Sequence, residues 1–357
     1  MNEKTTTAPK GAPRARVRAT RVRSASRTPH ATTVNPADLT VHNHPLARRH
    51  YRVATAAIEG FVDLVEHCVR VLIPGALIYA RPRMGKTHAI DYLALHLGRN
   101  RGDILVMRMS CEYHRSDYEG AFFSALLSAA GIRDPQPRCI ADKRFALMRR
   151  INEQLQKRSG HIVVLFCDEA QRLSKHALEW LRDVHDQLAH HGVRLITFLV
   201  GQPQLMEQKA QYQLSGDEQI VARFMIEQMH FRGITGAVEA ATCLASYDMT
   251  RYPEDTGSTF TAFFYPDAYA AGLRLEQSAA ALRNGFVNAH TVAQLAGPVE
   301  LHMESFVRAV EILLKDSELM DCPGYCPEPA LWAHAVRHSG YVQSRHAIGR
   351  VLVSAAL

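Results

Sequence analysis

Two stretches carry residue types that could do chemistry together: Ala80-Arg81-Pro82-Arg83-Met84-Gly85-Lys86-Thr87-His88 and Asp168-Glu169. The first suits phosphate. Backbone N–H groups in a tight loop and at a helix N-terminus point at anionic oxygens. Lys86 can bring a cation to the β- and γ-phosphates, and the Thr87 hydroxyl can ligate Mg²⁺. Residues 80–88 with Asp168 are therefore the candidate ATP-binding set, and Thr87 with Asp168 the candidate magnesium ligands. Asp168 would act through water, because this small ion gives up its waters reluctantly. Glu169 is placed to orient and polarise an attacking water. In the pattern G-x-x-x-x-G-K-[ST] the first glycine is replaced by Ala80. If the backbone there needs a positive φ, alanine costs on the order of 1–2 kcal/mol.

These residues work only if strands and helices bring them together. Residues 71–79 form a short apolar run that reads as a buried strand, and 88–97 repeat apolar residues at helical spacing. Strand, loop, Gly-Lys-Thr and helix make the P-loop arrangement. Residues 161–167 are a continuous apolar run, the mark of a parallel strand covered on both faces, and they end at the Asp168-Glu169 pair. Further strands are expected at 103–109, 193–200 and 226–231, with helices at 117–130, 138–157 and 175–191 between them. The alternation predicts an α/β core around a five-stranded parallel sheet. Parallel sheets place ligands beyond the carboxyl ends of their strands, so Gln202, in Gly201-Gln202-Pro203, is expected near the γ-phosphate. Its amide would sense phosphate or hold the attacking water; the alternative is a cap on the following helix.

An amphipathic helix at 47–71 leads into the core, and after residue 236 the patterns are helical, with a loop expected at 252–265. The expected organisation is a disordered tail at 1–46, a nucleotide-binding core at 47–235, a helical lid at 236–318 and a helical extension at 319–357.

Composition narrows the class further. The 357 residues are 47% hydrophobic and 22% charged, ordinary for a globular chain with a sizeable core. No apolar run approaches the roughly 18 residues that suggest a membrane span. Seven scattered cysteines form no secreted disulfide framework and favour a reducing cytoplasm. The net charge of +7 is uneven: residues 1–49 hold ten Lys/Arg against two Asp/Glu, so the rest of the chain is close to neutral. Arg14, Arg16, Arg18, Arg21, Arg23 and Arg27 would attract a phosphate backbone without sequence preference. A solubilising tail and an organellar presequence are the other readings of that segment.

On Gly85-Lys86-Thr87, Cys167-Asp168-Glu169-Ala170-Gln171, Gly201-Gln202-Pro203-Gln204-Leu205 and Ala222-Arg223-Phe224, residues 45–235 resemble the AAA+ ATPases of bacterial transposition systems, the TniB/TnsC type. The resemblance implies a P-loop NTPase of the AAA+ kind with a five-stranded parallel core and a smaller C-terminal helical lid. It implies Gln202 as a sensor and Arg223 as an arginine supplied to a neighbouring subunit's nucleotide, so Glu169, Gln202 and Arg223 are the candidate catalytic residues. It further implies ATP and Mg²⁺ as ligands, slow assembly-dependent hydrolysis, and a homo-oligomeric ring or filament on double-stranded DNA. The partners implied are a transposase and a target-selection protein. His114 and Arg115, after the second strand, are the candidate DNA contacts. No arginine matches the one relatives carry in the lid; Gly297-Pro298-Val299-Glu300 stands there. A signalling or secretion ATPase acting on a protein partner without DNA is the alternative.

Cys322, Cys326, His334 and His338 give C-x3-C-x7-H-x3-H, a set that could close a tetrahedral zinc, although the central spacing is shorter than the usual one of about 12. The bland reading is a helix face beside a loop.

Overall fold

The computed structural model describes residues 40–41, 43–48, 51–113, 118–132, 139–254 and 257–346. The basic tail, His114, Arg115 and the helix expected from residue 346 onward lie almost wholly outside these.

A short helix α1 (Pro45–Arg48) precedes α2 (Ala56–Val71), which Thr55 starts by accepting the Ile58 N–H on its hydroxyl. The core then alternates: β1 (Gly75–Tyr79), α3 (Lys86–Asn100), β2 (Ile104–Ser110), α4 (Glu119–Ala129), α5 (Ile140–Gln156), β3 (Ile162–Asp168), α6 (Lys175–His190), β4 (Arg194–Gly201), α7 (Gln204–Leu214), α8 (Glu218–Phe224) and β5 (Glu227–His230). The first strand begins four residues later than the apolar run suggested. Val71 closes α2 and Leu72 turns left-handed at φ 59°, both largely exposed, so these two apolar residues end a helix rather than start a strand.

The five strands form one sheet in the order β2-β3-β4-β1-β5, and every pairing is parallel. Alternate residues feed opposite faces, as strand geometry requires. Leu77, Val163, Leu165, Leu195 and Leu199 pack under α4, α5, α6 and α8, while Ile78, Val164, Phe166, Ile196 and Phe198 pack under α2 and α3. The order places the ends of β3, β4 and β1 side by side. Neighbouring strands lie about 4.8 Å apart, so groups just past these three ends share a space roughly 10 Å wide.

Beyond the sheet come α9 (Ala237–Met249), a two-stranded antiparallel pair β6 (Arg251–Tyr252) and β7 (Ser258–Thr259), α10 (Phe260–Phe264), α11 (Pro266–Ala270), α12 (Ala279–Val292), α13 (Met303–Asp316) and α14 (Pro329–His338). The segment expected to be a loop, 252–265, thus contains β7 and α10 among its described residues. Thr259 caps α10 by accepting the Ala262 N–H, and Phe260 and Phe264, one turn apart, are buried in the helical cluster. That cluster takes Leu46 and Val53 from before the sheet, and Trp332, Ala335, Val336 and Tyr341 from after α13. Among the described residues no helix is long and apolar enough to cross a membrane.

Burial keeps three histidines neutral. It lowers His44 and His302 from 6.5 to about 4, and His185, beside Thr197 and with Arg223 adding to the effect, to about 3. The unfolded chain takes up these protons as pH falls through 6.5; the native chain does so only near 3 to 4. Stability gained from the neutral rings is therefore complete above pH 6.5 and is lost progressively as pH falls toward 4. Each such group contributes a slope of about 1.4 kcal/mol per pH unit across the window. A thermal unfolding midpoint that stays flat from pH 6.5 down to 4 contradicts this.

Candidate nucleotide site

The P-loop follows β1 directly. Ala80, fully buried, donates its N–H to the Gly201 carbonyl at 3.1 Å, so the loop begins as a continuation of the β1–β4 pairing. Its φ is not positive; the left-handed residues of the loop are Arg83 at 68° and Gly85 at 95°. Alanine in place of the first glycine therefore carries no backbone strain, and the loop spends its strain at Arg83 instead. Gly85 is the N-cap of α3 without a side-chain cap, which leaves the first N–H groups of that helix facing the loop.

Lys86 is buried and folds back, donating Nζ to the carbonyls of Ala80 at 3.0 Å and Arg81 at 3.1 Å. An ammonium has three donors, so one remains for a phosphate. Burial pushes Lys86 below the ordinary lysine value, and Glu169 and Asp168 pull it back only in part. Thr87 Oγ1 donates to Asp168 Oδ2 at 2.7 Å, across 81 residues of sequence. A hydroxyl and a carboxylate in contact are the hard oxygen donors that Mg²⁺ takes, so the residues fit the ion. His88 is exposed on the first turn of α3.

Glu169 stands at the end of β3 with φ 55° and ψ 38°, a left-handed conformation uncommon for a residue with a Cβ. Its N–H donates to Asp168 Oδ1 at 3.0 Å. Its Oε2 accepts two amides, Gln171 Nε2 at 2.7 Å and Gln202 Nε2 at 3.2 Å. Burial pushes the carboxyl up, but these amides, with Lys86 and Arg172, outweigh it and hold Glu169 below the ordinary carboxylate value. The Glu169 carboxyl is therefore ionised at neutral pH. Gln202 does not cap α7, whose N-cap is Pro203 with no side-chain bond; its side chain turns to Glu169 instead. The second hydrogen on Gln202 Nε2 stays available, so this amide can serve carboxylate and phosphate together.

Gln171 belongs to the site too, and sequence reasoning gave it no role although the motif contained it. The lid also meets the P-loop in an unexpected way. A few residues past Gly297-Pro298-Val299-Glu300, α13 presents an acid to the loop: Glu304 Oε2 pairs with Arg83 Nε at 3.3 Å, and Glu304 Oε1 with Arg308 Nη2 at 2.6 Å. Glu300 accepts the Gly233 N–H at 2.8 Å, on the far side of the bridge between Ile234 and Leu301.

Arg223 is remote from this cluster. It lies in the last turn of α8 and pairs with Asp186 of α6. A Cβ on Gly75 would stand 2.5 Å from the Arg223 carbonyl oxygen, which ties α8 to the start of β1, whereas the P-loop leaves its end. His114 and Arg115 lie outside the described residues.

The proposed zinc set does not converge. His334 and His338 face one another with ring centroids 4.4 Å apart, His334 Nε2 looks toward Asp316 at 3.7 Å, and Cys322 and Cys326 are exposed thiols. One helical turn brings the two rings together, but the loop does not bring sulfur to them. Among the described residues no group of three or more His, Cys, Asp or Glu side chains could hold a metal ion.

Residues 75–208 match a family model described as an AAA domain. No curated protein matches the chain. Among solved structures the chain is similar to the Aeropyrum pernix ORC2 protein in ADPNP and ADP complexes, with 13% identity, 83% of this chain and 71% of that one covered, and a TM-score of 0.49. It is also similar to domain III of the Thermotoga maritima replication initiation protein DnaA, with 12% identity, 84% and 98% covered, and a TM-score of 0.44. A third is AMPPCP-bound DnaA from Aquifex aeolicus, with 14% identity, 88% and 93% covered, and a TM-score of 0.34. With its all-parallel five-stranded sheet and the P-loop after β1, the chain has an α/β P-loop fold, and residues 75–208 within it match an AAA domain.

Proposed function

We propose that the protein binds ATP with Mg²⁺ between neighbouring copies of itself and hydrolyses it slowly to ADP and phosphate, and that it does so on double-stranded DNA as a regulator of transposition. The observation that carries the ATPase reading is the 2.7 Å contact of Thr87 Oγ1 with Asp168 Oδ2, with ionised Glu169 alongside and Lys86 buried under the loop. Thr87 and Asp168 would hold Mg²⁺, which when bound neutralises charge on the phosphate oxygens. Lys86 gives its remaining N–H to phosphate. Glu169 keeps Oε2 on its two amides and turns Oε1 to the attacking water. Gln202 bridges carboxylate and phosphate, and Arg223 of a neighbouring copy meets the charge that develops on the transferred group.

The reading of DNA and transposition is supported by the motif set shared with the TniB/TnsC type and by the arginines of residues 14–27. On this account the protein oligomerises on duplex in its ATP form and recruits or activates a transposase there. Binding to a duplex of arbitrary sequence should require ATP, and its affinity should fall steeply with salt, by about 10³–10⁵ between 50 and 200 mM if six to ten phosphates are neutralised. ATP turnover without any duplex binding favours a protein-directed signalling or secretion ATPase. Filaments formed with ATP but no phosphate release favour a nucleotide-locked scaffold.

A further inference from the structure

Gln171 bonds to both Glu169 and Gln202, yet neither of its side-chain bonds involves the residues that would hold phosphate or metal. Its Nε2 donates to Glu169 Oε2 at 2.7 Å, and its Oε1 accepts the backbone N–H of Gln202 at 3.0 Å. The second bond settles which way the amide faces. A backbone N–H can only donate, so Oε1 must point at Gln202 and the NH₂ end must point at Glu169. The Gln171 carbonyl is held in turn by Gln208 Nε2 at 3.0 Å, from the second turn of α7.

The end of β4 is shaped around this side chain. A Cβ on Gly201 would stand 2.3 Å from Gln171 Oε1, so glycine at that position makes room for the amide. Glu169, for its part, takes a left-handed backbone at φ 55°, and the carboxylate is then fixed by Gln171 and Gln202 on one oxygen. The other oxygen has no protein partner among the described residues. The charged groups facing this carboxylate are Lys86 from α3, Arg172 from the turn after β3, and the adjacent Asp168.

We propose that Gln171 is a positioning residue for hydrolysis: its amide links the end of β3 to the end of β4 and sets the direction in which Glu169 presents its free oxygen to water. The inference rests on the ATPase reading above and names a part of that site. A shared donor–acceptor bridge ties the base and Gln202 to one another, so a shift of the β4 end would carry the carboxylate with it. A misplacement of about 1 Å at a reacting group can cost on the order of a hundredfold in rate.

The test uses the full-length protein and reads two quantities, the affinity for a non-hydrolysable ATP analogue with Mg²⁺ and the steady-state kcat for ATP. Gln171→Ala should leave affinity within about threefold and lower kcat by about tenfold to a hundredfold. Gln171→Glu keeps the shape and the acceptor for the Gln202 N–H but loses the donor to Glu169, and should be at least as slow. A side chain that only fills space would tolerate that change. Gly201→Ala displaces the amide and should resemble Gln171→Ala, with the double variant no slower than either single one. Unchanged kcat in Gln171→Ala, full activity in Gln171→Glu, or loss of binding together with rate overturns the inference while leaving the ATPase reading intact. Absence of turnover in the parent protein overturns both.

Discussion

Glu169→Gln should convert the protein into one that binds ATP and holds it. Turnover is expected to fall by about 10²–10⁴, the usual worth of a positioned general base. Affinity for ATP with Mg²⁺ should change little, because Glu169 contacts neither Lys86 nor Thr87 and spends its bonds on Gln171 and Gln202. The ionised state of the carboxylate is what the substitution removes, and the two amides that favour this state are neutral groups that remain in place. Phosphate release measured beside equilibrium nucleotide binding separates the two effects. A variant that hydrolyses at the parent rate removes Glu169 from the chemistry.

Arg223→Ala should be comparably damaging for a different reason. The Arg223 carbonyl packs against Gly75 where the five-residue β1 begins, and the P-loop opens where β1 ends, at Tyr79. A strand of that length spans roughly 15 Å, so the guanidinium stands at the wrong end of the sheet for its own nucleotide. Within its own chain it is occupied by Asp186. An arginine meeting transferred-phosphoryl charge is worth about 10³–10⁵ in rate. Arg223→Ala should therefore bind ATP normally and lose most turnover at every protein concentration. The parent should gain specific activity as concentration rises, since assembly must pull Arg223 from Asp186. Parent-like turnover in Arg223→Ala, or a parent activity independent of concentration, contradicts a site completed by a neighbour.

The middle of the sheet was legible because β1, β3 and β4 are apolar and buried on both faces. Residues 162–167 are buried without exception, and a continuous run of that kind has few other uses in a chain that alternates with amphipathic helices. Thr87 and Asp168 were legible as types at the ends of such elements, and their 2.7 Å contact follows from the β3-β4-β1 order. What escaped was set by packing rather than pattern. Val71 and Leu72 are apolar but exposed at a helix end, so hydropathy misplaced the start of β1. Phe260 and Phe264 form a buried face only once Thr259 starts a helix, and Pro253 and Gly257 nearby read as loop. The role of Gln171 depends on a close approach between two strand ends, which no single segment announces. The lid contact through Glu304 depends on the docking of α13 against Arg83, a pairing of residues far apart in sequence. The cysteines and histidines of 322–338 had a ligand-like spacing, but their backbone does not bring sulfur to imidazole.

Mixing the two inactive variants is the most direct measurement of a site shared between copies. Glu169→Gln retains a functional Arg223, and Arg223→Ala retains a functional Glu169, so a junction that takes one residue from each rebuilds a whole pocket. Phosphate release from the mixture should exceed that of either variant alone, reaching up to about a quarter of parent activity if copies assemble at random and each pocket acts singly. A mixture no more active than its components, while both still bind ATP and assemble, would show that each chain hydrolyses with its own residues or not at all.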